Sequence, residues 1–190
     1  ERLGLSSGRL ELMTGIRARR HFEVGTRSSD IATGAAEEIF ARLPEARSQV
    51  DCLIHASVCR DFVEPATAAV VHHRLRLSPS CLLFDLSNAC LSWMNALVTA
   101  AGLIESGSVK MALIVCGEDA RTVVDTTIDR LNENRTMTRQ ELKPNVATLT
   151  LGSGGAAALL AGVDHPLRAN GARLLGGAFR SATEHNDLCR

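Results

Sequence analysis

A cysteine stands where the residue pattern of the chain changes. Cys90 follows a short apolar run at 81–86 and precedes a long helix-like segment that reaches about Ser106. The backbone N–H groups at the start of a helix lack internal partners, and together with the peptide dipoles they stabilise an anion. A thiol placed there is expected to have a lowered pKa and to be a better nucleophile. The alternative is a buried thiol that packs as a small apolar side chain.

The turn around Cys90 adds a second reason to consider nucleophilic chemistry. A sharp turn from strand to helix lifts a side chain clear of the sheet, as it does for the serine of many hydrolases. The small neighbours Ser87 and Ala89 leave room for a substrate carbonyl group. Spacing by itself leaves both interpretations of Cys90 open.

The elements that would position Cys90 follow from hydrophobic periodicity. Short apolar runs predict strands, and longer runs with a 3.6-residue period predict helices. The strands are expected at 53–58, 81–86 and 111–116, and the helices at 31–43, 66–75 and 90–106. Because strands and helices alternate with short links, we expect a parallel sheet flanked by helices, which is an α/β fold.

Three further segments carry structural expectations. The helix after Cys90 shows an apolar face made of Leu91, Met94, Leu97, Val98, Ala101 and Ile104. The segment 117–145 is polar and irregular, and its length predicts a cover over another part of the protein. Two short apolar runs surround the glycine cluster in 145–162, and 172–179 is a candidate for another strand.

Composition is that of one ordinary globular domain. The chain has 190 residues and zero formal net charge, so no attraction to nucleic acid or to a membrane surface is expected. No segment approaches the roughly 18 apolar residues of a membrane span, and residues 1–4 do not read as a signal peptide. The six cysteines lack zinc-binding or C-x-x-C spacing. We therefore expect no metal site and a reducing, cytoplasmic setting.

Three ordered segments resemble the thiolase superfamily, and most closely its β-ketoacyl-acyl-carrier-protein synthase III branch. The segment 84–121 resembles the nucleophile region, in which a strand ends in Asp and an Ala-Cys turn precedes a helix. "MTGIRARR" at 13–20 and "LTLGSGGAAALLA" at 149–161 resemble an early loop and a glycine-rich hairpin. "SNACL" at 87–91 and "VCRDFVEPAT" at 58–67 are most similar to the condensing enzymes of long-chain olefin biosynthesis.

This resemblance implies a layered α-β-α-β-α thiolase-like fold that is incomplete here. Residues 1–190 would form a single domain, corresponding to the N-terminal half without its first strand. The C-terminal half would be absent from this sequence, together with the family's catalytic His and Asn. The family is homodimeric, so a homodimer is expected.

The resemblance also implies an enzyme, an acyltransferase in which Cys90 is acylated by a thioester. A second acyl thioester would then supply a carbanion that attacks the acyl-cysteine and gives a β-keto product. Glu64 corresponds to an acid that serves as a base near the cysteine in the olefin-type enzymes. A carboxylate among apolar side chains would have a raised pKa, suited to removing a proton from an acyl α-carbon.

The implied ligands are thioesters of coenzyme A or of acyl carrier protein, which are substrates, and no cofactor is expected. Arg130 resembles an arginine that holds coenzyme A in the priming enzymes. Their tryptophan partner and a nearby arginine correspond roughly to Arg9 and Met13, so the adenine clamp departs from the family pattern.

Other residues with chemical potential have simpler interpretations. Gly152-Ser153-Gly154-Gly155 lacks the Lys-Ser/Thr of a phosphate-binding loop, and a tight structural turn is expected there. His72-His73 is expected at the surface or in packing, and Trp93 either lines an acyl tunnel or packs in the core. His185 is not assigned the role of the family's catalytic histidine.

Three functions follow, in order. The first is Claisen condensation of two long-chain acyl-CoA thioesters. The second is priming of fatty acid synthesis from malonyl carrier protein by a 3-oxoacyl-[acyl-carrier-protein] synthase III, and Glu64 favours the first over it. The third, of another class, is a non-catalytic thiolase-like subunit that dimerises with an active chain.

Overall fold

The computed structural model describes residues 7–134, 136–167 and 172–189. Within them, a single sheet contains four strands, β1 (Cys52–Ala56), β2 (Leu82–Leu86), β3 (Met111–Glu118) and β4 (Gly154–Ala161). Their order across the sheet is β2-β1-β3-β4. β1 is parallel to β2 and to β3, whereas β3 and β4 are antiparallel. The α/β class and the parallel arrangement of β1, β2 and β3 were thus predicted from the sequence, whereas the antiparallel β4 makes the sheet a mixed one.

Helices lie on both faces of this sheet. The helices of the described residues are α1 (Arg9–Thr14), α2 (Ser28–Arg42), α3 (Thr67–Leu75), α4 (Ser92–Glu105), α5 (Arg121–Glu133) and α6 (Arg139–Leu149), with 3₁₀ helices at Pro44–Gln49 and Thr183–Cys189. Of these, α2 and α3 lie on one face of the sheet and α4 lies on the other. Because side chains alternate along a strand, Leu53 packs with α2 and α3 while Ile54 packs with α4. The two central strands, β1 and β3, therefore each contribute side chains to two apolar clusters, one on each face of the sheet.

The ends of α2 follow local rules. Arg27 is its N-cap, and the Asp30 carboxylate accepts a hydrogen bond from the Arg27 backbone N–H at 2.8 Å. Ser28 and Ser29 belong to the first turn of the helix, one turn earlier than the apolar period indicated. Pro44 follows the last residues of α2 and opens the 3₁₀ helix, since proline cannot continue an α-helix hydrogen-bond ladder.

The expectation that 117–145 is irregular was wrong. α5 and α6 occupy most of it, and α6 carries Thr138 and Glu141 as a reciprocal capping box. The first apolar run near the glycine cluster is the end of α6, so the cluster does not join two strands as a hairpin would. Gly154 and Gly155 instead begin β4, and no strand is found within the described residues 172–179.

The apolar face expected for the helix after Cys90 was correct only in part, since Leu97 and Ile104 pack against the cluster beneath the helix. In α4 the buried residues are Ser92, Ala96 and Ala100, which are small and let the helix lie close to the sheet. Leu91, Met94 and Val98 are exposed, although they recur with a helical period. A helix that is apolar on more than one side is typical of a helix with neighbours on more than one side.

One property of the described residues concerns membranes. None of their helices combines the length and the apolar character that a membrane crossing requires.

Candidate active site

Cys90 lies in the turn between β2 and α4, two residues before the helix begins at Ser92. Ser92 is 2% exposed, and its side chain binds this turn from the interior of the protein. Its hydroxyl accepts a hydrogen bond from the Asn88 N–H at 2.8 Å and donates one to the Ala89 carbonyl at 2.7 Å. The N–H groups of Leu91 and Ser92 are bound by the carbonyls of Asn88 and Ala89. The turn is therefore fixed by its own hydrogen bonds.

The residue immediately before Cys90 carries the strained backbone of this turn. Ala89 has a φ of 48°, in the left-handed region that residues with a Cβ rarely adopt. The chain can thereby reverse within a few residues, and the Cys90 side chain is exposed. The exposure of Cys90 agrees with the expectation that the turn lifts its side chain clear of the sheet. The strained backbone lies at Ala89, one residue before the cysteine.

The other described thiols have different surroundings. Cys52 and Cys81 are buried in the core, and Cys59 and Cys116 are half-buried. Burial raises the pKa of Cys52 to about 12 and that of Cys81 to about 11, because the apolar interior disfavours a thiolate. Cys90 is thus the thiol that combines a turn position with exposure among these five.

Glu64 lies in the loop that joins β1 to α3. Its side chain is exposed, and so are its apolar neighbours Phe62 and Val63. The peptide bond between Glu64 and Pro65 is cis. The enclosure of Glu64 by apolar side chains is not provided by this chain alone, and its role as a base stays a prediction.

Two polar residues of the strands were missed as parts of the site. His55 in β1 and Asp85 in β2 are register partners, with His55 Nδ1 3.6 Å from Asp85 Oδ1. His55 is 1% exposed, and its Nε2 lies 2.9 Å from the Ser28 hydroxyl. The available signal was a histidine inside an otherwise apolar strand, since buried polar groups are normally hydrogen-bonded.

The hydrogen bonds of Ser28 indicate where the proton of His55 resides. The Ser28 hydroxyl donates to the Gly117 carbonyl at 2.6 Å, so it accepts from His55 Nε2. The Nδ1 to Asp85 distance exceeds that of a hydrogen bond. Burial lowers the pKa of His55, although the neighbouring carboxylates oppose this effect. We therefore describe His55 as a neutral imidazole protonated at Nε2.

The remaining sequence candidates are separate from this cluster. Trp93 is half-buried and packs against the apolar cluster beneath α4, which favours the core interpretation. Arg130 is exposed on α5. His72 Nε2 lies 2.9 Å from the Ser78 carbonyl, a packing role, and His185 is exposed.

Comparison with protein families shows to which family the chain belongs. The model of the family 3-oxoacyl-[acyl-carrier-protein (ACP)] synthase III matches residues 84–181, just over half of the chain and including the Cys90 turn. The chain belongs to this family. Its thiolase-like α/β fold is accordingly the fold that the sequence segments predicted.

Curated relatives divide into two groups. The acyl-CoA:acyl-CoA alkyltransferase of Xanthomonas campestris is 38% identical over 190 residues, which are 100% of this chain and 55% of the relative. The protein of the same name from Shewanella oneidensis is 35% identical and covered to 54%. β-Ketoacyl-[acyl-carrier-protein] synthase III 1 of Deinococcus radiodurans is 36% identical over 65% of this chain and 36% of its own length. The family member described here spans about half the length of the first two.

Solved structures agree with the sequence comparison. The cerulenin-bound crystal structure of OleA from Xanthomonas campestris superposes with a TM-score of 0.90 at 37% identity, over 98% of this chain and 56% of that one. The acetamide-bound structure of the same protein gives a TM-score of 0.89 at 38% identity, with the same coverage. The family member therefore shares the backbone arrangement of about half of OleA.

Proposed function

We propose that the protein joins two acyl thioesters in a Claisen condensation, with Cys90 as the acyl carrier. The observation that carries this proposal is the exposed thiol on a turn that Ser92 fixes from the interior. Two relatives that align with the whole chain are named acyl-CoA:acyl-CoA alkyltransferases. We accordingly propose long-chain acyl-CoA thioesters as both donor and acceptor.

The proposed reaction has two stages. In the first, the Cys90 thiolate attacks the carbonyl carbon of one acyl-CoA, a new S–C bond forms, and the coenzyme A thiolate leaves. In the second, Glu64 takes a proton from the α-carbon of another acyl-CoA. The resulting carbanion attacks the acyl-cysteine carbonyl, a C–C bond forms, and the Cys90 thiolate leaves. The product is a β-keto thioester.

Two further parts of the proposal concern partners. Val58, Phe62 and Val63 expose apolar surface around the Glu64 loop, and such a patch favours contact with another protein surface. We propose a second copy of the chain as that surface, which makes the protein a homodimer. We also propose that Arg130, exposed on α5, contacts the coenzyme A part of the substrate. The free thiols of the described cysteines support a reducing, cytoplasmic setting.

Priming of fatty acid synthesis is the second candidate, favoured by the family match and by the Deinococcus relative. In that reaction malonyl carrier protein loses carbon dioxide to generate the carbanion, so a base such as Glu64 is not needed. The natural full-length protein should be supplied with one acyl-CoA and either malonyl carrier protein or a second acyl-CoA. Condensation with the second acyl-CoA supports the first function, and condensation with malonyl carrier protein alone supports the other.

The acyl-cysteine stage is tested separately by intact-mass spectrometry after incubation with an acyl-CoA. We expect one acyl group per chain, mapped to the peptide that contains Cys90 and absent from Cys90→Ser. Cerulenin, which is bound in a solved structure of the Xanthomonas protein, is a second probe for the same thiol. If neither reagent modifies Cys90, the protein is better described as a non-catalytic thiolase-like subunit that dimerises with an active chain.

A further inference from the structure

The first turn of α3 is held by a carboxylate from another element. Asp85, in β2, accepts hydrogen bonds from the backbone N–H groups of Thr67 at 2.8 Å and Ala68 at 2.7 Å. The N-cap residue Ala66 has no side chain that could do this. A carboxylate at this place satisfies two of the unpaired N–H groups and lies at the favourable end of the helix dipole.

The loop that carries Glu64 closes onto the same turn. The Asp61 N–H donates a hydrogen bond to the Thr67 hydroxyl at 3.2 Å, so the two ends of the segment 61–67 are joined. The Asp61 carboxylate in turn accepts a hydrogen bond from the Ser29 N–H at 3.0 Å. Thr67 is completely buried. Glu64 is therefore at the tip of a short loop whose base is bound to Asp85 through Thr67.

The strand that supplies Asp85 also leads into the Cys90 turn. Asp85 is on β2, which ends at Leu86, and the turn begins directly afterwards. Within the sheet, Asp85 lies opposite His55 of β1, its register partner. The carboxylate thus connects the segment of the proposed base with the segment of the proposed nucleophile.

We propose that Asp85 is a positioning residue that sets the place of Glu64 relative to the strand of Cys90. The inference rests on the proposed function, in which Cys90 is acylated and Glu64 removes a proton from the second substrate. In this role Asp85 contacts neither substrate. It acts through Thr67 and Ala68, and it matters for the second stage of the reaction alone.

Asp85→Asn is the informative substitution because it preserves the shape of the side chain. An amide offers one acceptor oxygen, and its NH₂ group would face the second backbone N–H donor. The first turn of α3 then loses one of its two hydrogen bonds to residue 85. We expect a small displacement of Glu64 to follow, and such a displacement of a reacting group lowers the rate of the step in which it acts, here the condensation.

Asp51 provides a matched control at the opposite end of the parallel strands, where β1 and β3 begin. Its carboxylate also accepts two consecutive backbone N–H groups, from Lys110 at 2.8 Å and Met111 at 3.0 Å. Asp51 precedes β1, whereas Cys90 follows the end of the parallel strand β2. Asp51→Asn therefore removes the same type of interaction without touching the proposed site.

The experiment measures both stages in the natural full-length protein. Acylation of Cys90 by one acyl-CoA is followed by intact mass, and condensation is followed by formation of the β-keto product. For Asp85→Asn we expect acylation within about three-fold of the wild-type rate and condensation slower by about ten-fold or more. Asp51→Asn should change neither rate by more than about three-fold. If Asp85→Asn fails to fold, Thr67→Val takes its place, because it removes the hydroxyl that accepts the hydrogen bond of the Asp61 N–H. We expect Thr67→Val to slow condensation and to leave acylation nearly unchanged.

A double variant separates failure of this inference from failure of the proposed function. If Asp85 acts through Glu64, then Glu64→Ala combined with Asp85→Asn condenses no more slowly than Glu64→Ala alone. Multiplied losses, an unchanged condensation rate in Asp85→Asn, or equal slowing of both stages would overturn the positioning role. Normal condensation by Glu64→Ala itself would instead remove the proposed base, and this inference with it.

Discussion

A Cβ atom added to Gly117 would lie 2.1 Å from the carbonyl oxygen of Ser28, because the first turn of α2 rests directly on the end of β3. We expect Gly117→Ala to lower the free energy of unfolding by about 3 kcal/mol, since backbone rather than a flexible side chain must move. Gly154→Ala is the control, because its added Cβ would meet no atom within 4 Å. Urea unfolding of both variants checks this, and equal midpoints would contradict the close contact.

The left-handed backbone of Ala89 leads to a second prediction. At a φ of 48° a glycine avoids the steric cost that a Cβ imposes. Ala89→Gly should therefore raise the free energy of unfolding, by up to about 1 kcal/mol. Ala89→Val should lower it, because a β-branched side chain tolerates positive φ poorly.

An exposed helical site supplies the comparison for Ala89→Gly. Glu38 lies within α2, and Glu38→Gly should cost about 1 kcal/mol. Denaturant titration measures all three variants. Destabilisation of Ala89→Gly to the same extent as Glu38→Gly would show that the turn is not strained.

Thiol accessibility gives a third prediction. Iodoacetamide should alkylate Cys90 in the folded protein well before Cys52 and Cys81, because these two are buried and burial raises their pKa to about 12 and about 11. Peptide mass spectrometry at successive times measures the order. In urea the three thiols should react at similar rates. Early modification of Cys52 in the folded state would contradict the described core.

The parts of this structure that the sequence predicted are those governed by local periodicity. The runs around Leu53 and Leu113 are apolar and bounded by breaks, so their strands and the parallel arrangement were accessible. The helical face of α4 was predicted only in part, because Met94 and Val98 have the same period as the buried Ala96 and Ala100. Which side faces the sheet depends on how closely the helix approaches, and periodicity does not contain that information.

In the candidate site, too, some features follow from the sequence and others depend on how the elements pack. Cys90 was proposed as a site residue from its position at a change of pattern and from the family resemblance, and that role stays a prediction. The connection between Asp85 and Thr67 joins a strand to a helix, and their contact depends on where the first turn of α3 packs against β2. His55 and Ser28 meet for the same reason. Such long-range hydrogen bonds leave no spacing signal in a single sequence.

The buried imidazole of His55 predicts how stability depends on pH. Burial lowers the pKa of His55 in the folded protein, against the opposing carboxylates of Asp85, Glu118 and Asp61 and with a smaller contribution from Arg60. In the unfolded chain a histidine titrates near about 6.5. Below that pH the unfolded state binds a proton that the folded state does not, so stability falls as the pH decreases towards the lowered folded pKa.

For one proton the slope approaches about 1.4 kcal/mol per pH unit within that window. The melting temperature of the wild-type protein should therefore decrease between about pH 7.5 and pH 5.5. His55→Gln should be less stable at neutral pH, because it disturbs the bond to Ser28, yet show a smaller decrease over this range. His185→Gln, at an exposed position, should keep the wild-type slope. Parallel pH profiles for the wild type and His55→Gln would mean that the pKa of His55 is the same in the folded and unfolded states, which would contradict a pKa lowered by burial.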